Sequence, residues 1–231
     1  MRALFFLMVL FSTSYNHHAW AQQNAEPVKI DPIVITATPL EKQLPEMAQP
    51  ATVLKEDELR RKRAASIGDT LSQELGVHSS SFGSGSGRPI IRGLDGARIR
   101  VMENGIGTMD ASTISPDHAV TTDSLKAKQI EILRGPASLL YGSGAIGGVV
   151  NVVSDLIPKF ALDELESEVE VRTGRDEFTG SADMSGGSES LAWHLHGYHR
   201  SADDYRVPGS GKFLPNSFTD GLNAGGGLSW V

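Results

Sequence analysis

Residues 129–154 constrain the fold more than any other part of the chain. They read QIEILRGPASLLYGSGAIGGVVNVVS, in which two apolar runs flank a Gly-Pro turn and a cluster of glycines. Short apolar runs rich in Ile and Val, bounded by turn residues, favour strands. The glycines predict tight turns and a close backbone approach, because glycine has no Cβ that could clash. We therefore expect two core strands joined by a compact connection.

A nucleotide-binding interpretation of the same glycines fails on its context. Gly142, Gly144 and Gly147 fit the pattern G-x-G-x-x-G, and Asp163 and Glu164 follow at about the 20-residue distance that the motif requires. The motif needs a helix that begins at the glycines. The sequence VVNVV follows instead and predicts a strand, so we assign the glycines a structural role.

Together with RPIIRGLDGARIRVMENGI, residues 88–106, the 129–154 segment resembles the plug domain of TonB-dependent outer-membrane receptors. The resemblance implies a small α+β plug over residues 46–159 that sits inside a β-barrel. It also implies that Arg92 and Arg134, which end the runs IIRG and ILRG, contact the barrel. Arginine pairs well with carboxylates, and the glutamates at 164, 166, 168 and 170 are the expected partners. The alternative is a pair of plain surface arginines.

Local patterns predict the elements of the plug. Two helical pieces are expected within residues 51–75, the second with Ser66 as its N-cap and Asp69 three residues later. RRKR at 60–63 follows three acidic residues, which favours a solvated helix of mixed charge over a nucleic-acid site. One apolar helix face is predicted for Ile67, Leu71 and Leu75, and strands are predicted at 89–91, 99–102, 129–133 and 149–153.

The N-terminus predicts export. Arg2, the apolar run ALFFLMVLF and Ala19-Trp20-Ala21 have the order of a signal peptide, residues 1–21. Residues 22–45 are rich in proline and are expected to form a mobile tether. Within it, residues 31–38 are β-prone and resemble the TonB box, which adds a strand to a sheet edge of the TonB energy-transducing protein. The alternative is an ordinary linker. The predicted partner-binding residues are Ile33, Val34, Ile35, Thr36, Ala37 and Thr38.

Residues 160–231 alternate between apolar and polar side chains in four runs. Such runs of about ten residues are typical of outer-membrane barrel strands, with the apolar side chains facing lipid. The predicted fold is therefore an α+β plug followed by the first antiparallel strands of an incomplete transmembrane β-barrel. Plugged transporters have about 22 strands. We accordingly expect a fragment or a truncated reading frame that does not transport alone, with its plug and N-terminus facing the periplasm.

Composition excludes several other classes of function. The chain has no cysteine, so disulfide frameworks and thiolate sites are ruled out, and its net charge of −7 argues against nucleic acid as a partner. No nucleophile with a matching base and no phosphate loop stands in a usable context, so an enzyme is not expected, nor is a resident cofactor. The expected partners are the TonB protein, an extracellular metal ligand and outer-membrane lipid.

The segment MDASTISPDHAV, residues 109–120, carries the clue to the substrate. Asp117 and His118 place a carboxylate beside an imidazole, a donor set that suits zinc. Weaker candidate ligands are Asp110, His194 and His196, the last two facing the barrel interior by parity. SPDHAV, the 129–144 run and YHRSADDYRVP resemble the zinc-uptake subgroup of these receptors. In that subgroup an Asp-His pair of the same plug loop helps to bind zinc.

Three rival functions stay open at this point. A haem or iron-chelate (siderophore) receptor of the same architecture would use His118, His194, His196 or Tyr198. A surface adhesin or a receptor for phage or bacteriocins would not transport, and deletion of residues 31–38 would leave it unchanged. An enzyme is the last alternative, for the reasons given above.

Overall fold

The computed structural model describes residues 34–36, 42–43, 50–80, 83, 85–135, 140–158, 165–174 and 176–230. The predicted signal peptide and most of the predicted tether lie outside these residues. In the described part, no helix has the length and apolar content that a membrane-crossing helix needs.

The first nine strands of the described part belong to the N-terminal segment and the plug. Their bounds are β1 Val34–Ile35, β2 Lys42–Gln43, β3 Ala51–Lys55, β4 Val77–Ser80, β5 Arg88–Ile91, β6 Ile99–Glu103, β7 Ile106–Gly107, β8 Gln129–Leu133 and β9 Gly148–Val153. The strands predicted for the plug are confirmed within one residue, whereas β3, β4 and β7 were not predicted.

The plug is built on a five-stranded sheet with the order β3-β8-β9-β6-β7. Only the pair β6 and β9 is parallel, and the other neighbours are antiparallel. A separate antiparallel pair is formed by β4 and β5.

Two short helices, α1 Glu56–Lys62 and α2 Ile67–Leu71, pack on one face of the five-stranded sheet. The Ser66 cap is confirmed, since its Oγ accepts a hydrogen bond from the Asp69 N–H at 3.0 Å. The predicted apolar face is wrong at its end: α2 stops at Leu71, and Leu75, beyond the helix, is 92% exposed. No helix begins at Gly147, where β9 follows directly, so the rejection of a nucleotide site stands.

The two faces of the central strands differ in chemistry. Alternation along β8 places Ile130 and Ile132 in the core beneath the helices, and Glu131 and Leu133 on the opposite face. That opposite face carries a smaller apolar cluster with Met102 and Val149. It is the face on which the N-terminal segment lies.

The C-terminal part forms a four-stranded antiparallel sheet, here called the wall. Its strands are β10 Glu166–Thr173, β11 Glu177–Ser188, β12 Leu191–Ala202 and β13 Thr219–Trp230. The alternation predicted from the sequence is confirmed: the exposed, outward face carries Val169, Val171, Phe178, Met184, Leu195, Leu222, Leu228 and Trp230. Residues 203–218 connect β12 to β13.

Candidate functional sites

The β-prone N-terminal segment is docked on the plug where it is described. Its strand β1 pairs antiparallel with β2. Ile35 is fully buried against Met102, Leu133 and Val149, and burial of one such side chain contributes about 1.5–3 kcal/mol. Within the stretch predicted to be a tether, residues 34–36 therefore lie against the plug in this structure. Ile33, Ala37 and Thr38 lie outside the described residues.

Polar contacts fix the register of this docked segment. Oε1 of Glu131, which is fully buried, accepts hydrogen bonds from the N–H and the Oγ1 of Thr36 at 2.8 and 3.0 Å. The side-chain amide of Gln129 donates to the Val34 carbonyl at 3.0 Å and to Glu131 at 2.7 Å. Asn151 donates to the second carboxylate oxygen at 3.1 Å. No sequence pattern indicates that this face of β8 and β9 receives the segment.

Asp117 and His118 lie together on an exposed loop of the plug. Their side chains are 64% and 56% exposed, and His118 Nδ1 is 3.1 Å from Asp117 Oδ1. The Ser115 hydroxyl donates to the same carboxylate oxygen. The Ser115 and His118 hydrogen bonds hold the pKa of the Asp117 carboxyl below its usual value. The pair can thus offer one imidazole nitrogen and one charged carboxylate to a cation from outside.

Asp110, a weaker candidate ligand, is engaged in the same loop. Its Oδ1 accepts from the Ser112 N–H at 3.0 Å, and its Oδ2 accepts from Thr121. Burial raises the pKa of the Asp110 carboxyl, but the hydrogen bonds from Ser112, Thr121 and Thr108 outweigh it and lower the pKa overall. Asp110 therefore shapes the loop from within rather than presenting a free carboxylate.

His194 and His196 face the plug from the wall, as the parity of β12 predicts. Their ring centroids are 5.6 Å apart. His194 Nδ1 lies 2.8 Å from Ser185 Oγ, and His196 Nε2 lies 3.1 Å from Asn223 Oδ1. Among the residues that the structure describes, no three His, Cys, Asp or Glu side chains are grouped so as to hold a metal. The predicted ligands do not form one metal centre here.

Arg134 is an internal residue of the plug, which corrects its predicted role. It is 6% exposed, and it donates to Thr52 Oγ1 at 2.7 Å and to the Leu75 carbonyl at 3.2 Å. Burial, followed by the nearby charge of Arg92, lowers the pKa of Arg134. Arg92 adopts a left-handed turn with φ of 51°. Neither arginine forms an ion pair with the wall glutamates of the described residues; Glu164 lies outside them.

Other arginines join the plug to the wall. Arg63, at the end of α1, pairs with Glu170 at 2.6 Å, and Arg60 pairs with Glu168 at 3.3 Å. In return, Arg172 of the wall donates to the carbonyls of Arg60 and Arg63. The predicted glutamates are therefore real partners, but of the RRKR run that was interpreted as solvated. The alternation in β10 could have shown that these glutamates face inward; it could not show which arginines meet them.

The C-terminal end of the plug, at Leu156 and Pro158, also lies against the wall. A Cβ added at Gly227 would stand 1.7 Å from the Leu156 carbonyl oxygen, and Ser229 Oγ donates to the Pro158 carbonyl at 2.5 Å. Only glycine can occupy position 227 without displacing this backbone. Together with the arginines, these contacts define a polar seam between plug and wall.

The sequence of this chain, and above all its plug, is similar to known proteins. Residues 43–149 match the family model of the TonB-dependent receptor plug domain. The chain is 30% identical over 165 residues to a vitamin B12 transporter of Photobacterium profundum, covering 71% of this chain and 26% of that protein. It thus spans about a quarter of the length of this curated relative.

Solved structures show the same fold. The chain is similar to a copper transporter, with a TM-score of 0.67 at 21% identity over 78% of this chain and 28% of the other. It is also similar to the ferric enterobactin receptor of Pseudomonas aeruginosa, with a TM-score of 0.61 at 19% identity over 80% and 31%. Residues 43–149 therefore match the plug domain of TonB-dependent receptors in sequence, and the chain shares the fold of these solved receptors. The antiparallel strands that follow match the barrels of these receptors.

Proposed function

We propose that this chain belongs to an outer-membrane receptor of a Gram-negative bacterium that imports a nutrient with energy from TonB. The observation that carries the proposal is the plug match, combined with a β-prone segment at residues 33–38 just ahead of it. A sheet edge of the TonB protein would take up this segment by adding it as a strand. In the structure, Glu131 and Gln129 hold the segment on the plug, so the partner must compete with them.

The outward face of the wall supports the proposed contact with lipid. It carries mostly apolar side chains, with Trp193 and Trp230 near the same end of neighbouring strands and Phe178 toward the other end, where His199 pairs with Asp220. Outer-membrane barrels carry an apolar band about 25 Å tall with aromatic residues at both borders. The inward face, by contrast, carries His194, His196, Arg172 and Arg200.

For the substrate we propose zinc, bound first at Asp117 and His118. The pair is exposed on a plug loop, and its carboxylate and imidazole suit a borderline, four-coordinate ion. The names of the similar proteins give vitamin B12, copper and ferric enterobactin as the molecules that they transport or bind. Their cargoes differ, so the choice of zinc depends on the donor chemistry of this loop.

Calorimetric titration of the folded chain with zinc tests the substrate. We expect Asp117→Ala and His118→Ala each to weaken zinc binding by about tenfold or more, because each removes one ligand. Asp95→Ala and His78→Ala are matched controls, since both residues are exposed on the plug outside this loop. Equal affinity in all four variants would remove the reason for choosing zinc.

Haem or an iron chelate is a second candidate, favoured by the paired imidazoles of His194 and His196 on the inward face. A haem titration followed by absorbance would show a shifted Soret band that is lost in His194→Ala. Deleting residues 31–38 separates both transport functions from a phage, bacteriocin or adhesin role. Transport requires the segment, whereas surface recognition does not.

A further inference from the structure

Three oxygen-bearing groups of the plug converge on one wall side chain, Arg200. We propose that the Asp123 carboxylate and the carbonyls of Ala64 and Ala65 form a cation-binding site on the plug. In this structure the Arg200 guanidinium occupies that site, and a hydrated divalent cation takes its place when plug and wall separate. The role in transport depends on the proposed function, whereas the site itself does not.

Acceptor oxygens of the plug surround the positively charged guanidinium of Arg200. Nη1 donates to Asp123 Oδ2 at 2.9 Å and to the Ala65 carbonyl, and Nη2 lies 3.4 Å from both Asp123 Oδ1 and the Ala64 carbonyl. The side chain of Arg200 is only 7% exposed. All four oxygens belong to the plug, while the positive charge is supplied by β12 of the wall.

The plug positions these oxygens by its own contacts. The Leu125 N–H donates to Asp123 Oδ1 at 2.9 Å and so orients the carboxylate. The Ala64 N–H donates to Thr70 Oγ1 at 3.1 Å, and the Thr70 hydroxyl donates in turn to the Ser66 carbonyl at 2.8 Å. None of these bonds involves the wall. The oxygen set is therefore expected to persist when Arg200 leaves, as a preformed site requires.

Water can complete the coordination from adjoining cavities. Arg200 lines two cavities, of about 190 and 300 Å³, and Asp123 lines the first of them. One water takes about 30 Å³ of liquid volume, so each cavity holds several. The first cavity adds the hydroxyls of Thr121, Thr122 and Tyr198.

The donor set determines the class of ligand. One carboxylate and backbone carbonyls are hard oxygen donors, which suit hydrated divalent cations such as Ca²⁺ or Mg²⁺ and also accept Zn²⁺ with retained water. An anion would meet the Asp123 charge and two carbonyl dipoles. The oxygen set of the plug therefore favours cations over anions.

Terbium luminescence tests the site, with Tb³⁺ alone as the probe for a calcium-like oxygen site. The tests use the full chain carrying Asp117→Ala and His118→Ala, so that the loop proposed for zinc does not contribute. Tyr198 lines the same cavity as Asp123 and can transfer excitation to a bound Tb³⁺. We expect Arg200→Gln to bind Tb³⁺ at least about tenfold more tightly than the parent chain. Adding Asp123→Asn should abolish this gain.

Arg172→Gln is the matched control, because it removes a wall arginine that contacts plug carbonyls but no plug carboxylate. It should gain no terbium affinity. If Arg200→Gln does not fold, as judged by circular dichroism, Arg200→Met retains the apolar stem and should show the same gain. The proposal is overturned if the folded variant binds no better than the parent, or if the gain survives Asp123→Asn. Neither result bears on zinc binding at Asp117 and His118.

Discussion

Replacing Glu131 with glutamine tests how the plug holds the β-prone N-terminal segment. This buried carboxylate accepts hydrogen bonds from the N–H and the hydroxyl of Thr36, from Gln129 and from Asn151. A glutamine can turn its oxygen toward Thr36 and Gln129. Its amide group then faces the Asn151 amide, which cannot turn around because its oxygen accepts from the Gly105 N–H.

The cost of this change can be worked from these contacts. Hydrogen bonds to a charged group contribute about 1.5–3 kcal/mol, and a buried donor without an acceptor costs about 1–3 kcal/mol. Glutamine retains part of the first contribution, so a loss of about 2 kcal/mol is expected. That corresponds to an opening equilibrium about 30-fold more favourable, because each 1.4 kcal/mol is a factor of ten.

Hydrogen exchange read by mass spectrometry on a peptide spanning residues 31–38 measures this opening. The Thr36 amide is protected by Glu131 in the structure, so its exchange should accelerate in Glu131→Gln. Glu103→Gln is the control: Glu103 ends β6 of the same sheet, and its carboxylate pairs with Lys126 and accepts from the Thr122 hydroxyl. Unchanged exchange in Glu131→Gln, or equal acceleration in both variants, would refute the reasoning.

Three further predictions concern the loop, the seam and the outward face. The depressed pKa of Asp110 means that its carboxylate adds stability above its unfolded pKa, and this stability is lost as the pH falls through the folded pKa. Asp110→Asn should therefore lower the melting temperature near pH 7, and the difference should shrink as the pH falls below the unfolded pKa of about 3.9. Gly227→Ala should destabilise the chain because its Cβ meets backbone, whereas Gly221→Ala, with open space on the same strand, should be neutral in the same melting assay. Leu195→Arg on the outward face should cost about 2–4 kcal/mol of bilayer folding stability at midplane depth, measured by urea titration in vesicles; an unchanged midpoint would contradict a lipid-facing wall.

Individual helices and strands could be predicted because the residues that specify each one are close together in the sequence. β8 was found from its Ile-rich run and the adjacent turn, and α2 from the Ser66 cap. The wall strands could be predicted because apolar and polar residues alternate along them, as they do when one face of a sheet is apolar and the other is polar. β3 was missed because Ala51–Lys55 carries neither a clear alternation nor a turn at its end before α1.

Long-range pairing could not be read from the sequence. The Arg63–Glu170 pair joins residues 107 positions apart, and the Thr36–Glu131 bond joins residues 95 positions apart. Any inward glutamate is a plausible partner for any arginine until the fold sets the distances. Arg134 was misassigned for this reason: its neutral partners, a threonine hydroxyl and a carbonyl, leave no pattern in the sequence.

The polar character of the seam bears on how the plug could move as a body. Its contacts are ion pairs and carbonyl hydrogen bonds, such as Arg63–Glu170 and Arg200–Asp123, with cavities beside Arg63 and Arg200. Charged groups that regain water on separation lose little net free energy, because solvation replaces the attraction between them. The apolar core around Ile130 and Ile132 has no such replacement, so it resists opening. We therefore expect force applied at residue 36 to break the Glu131 contact first, then to part the seam, and to unfold the central sheet last.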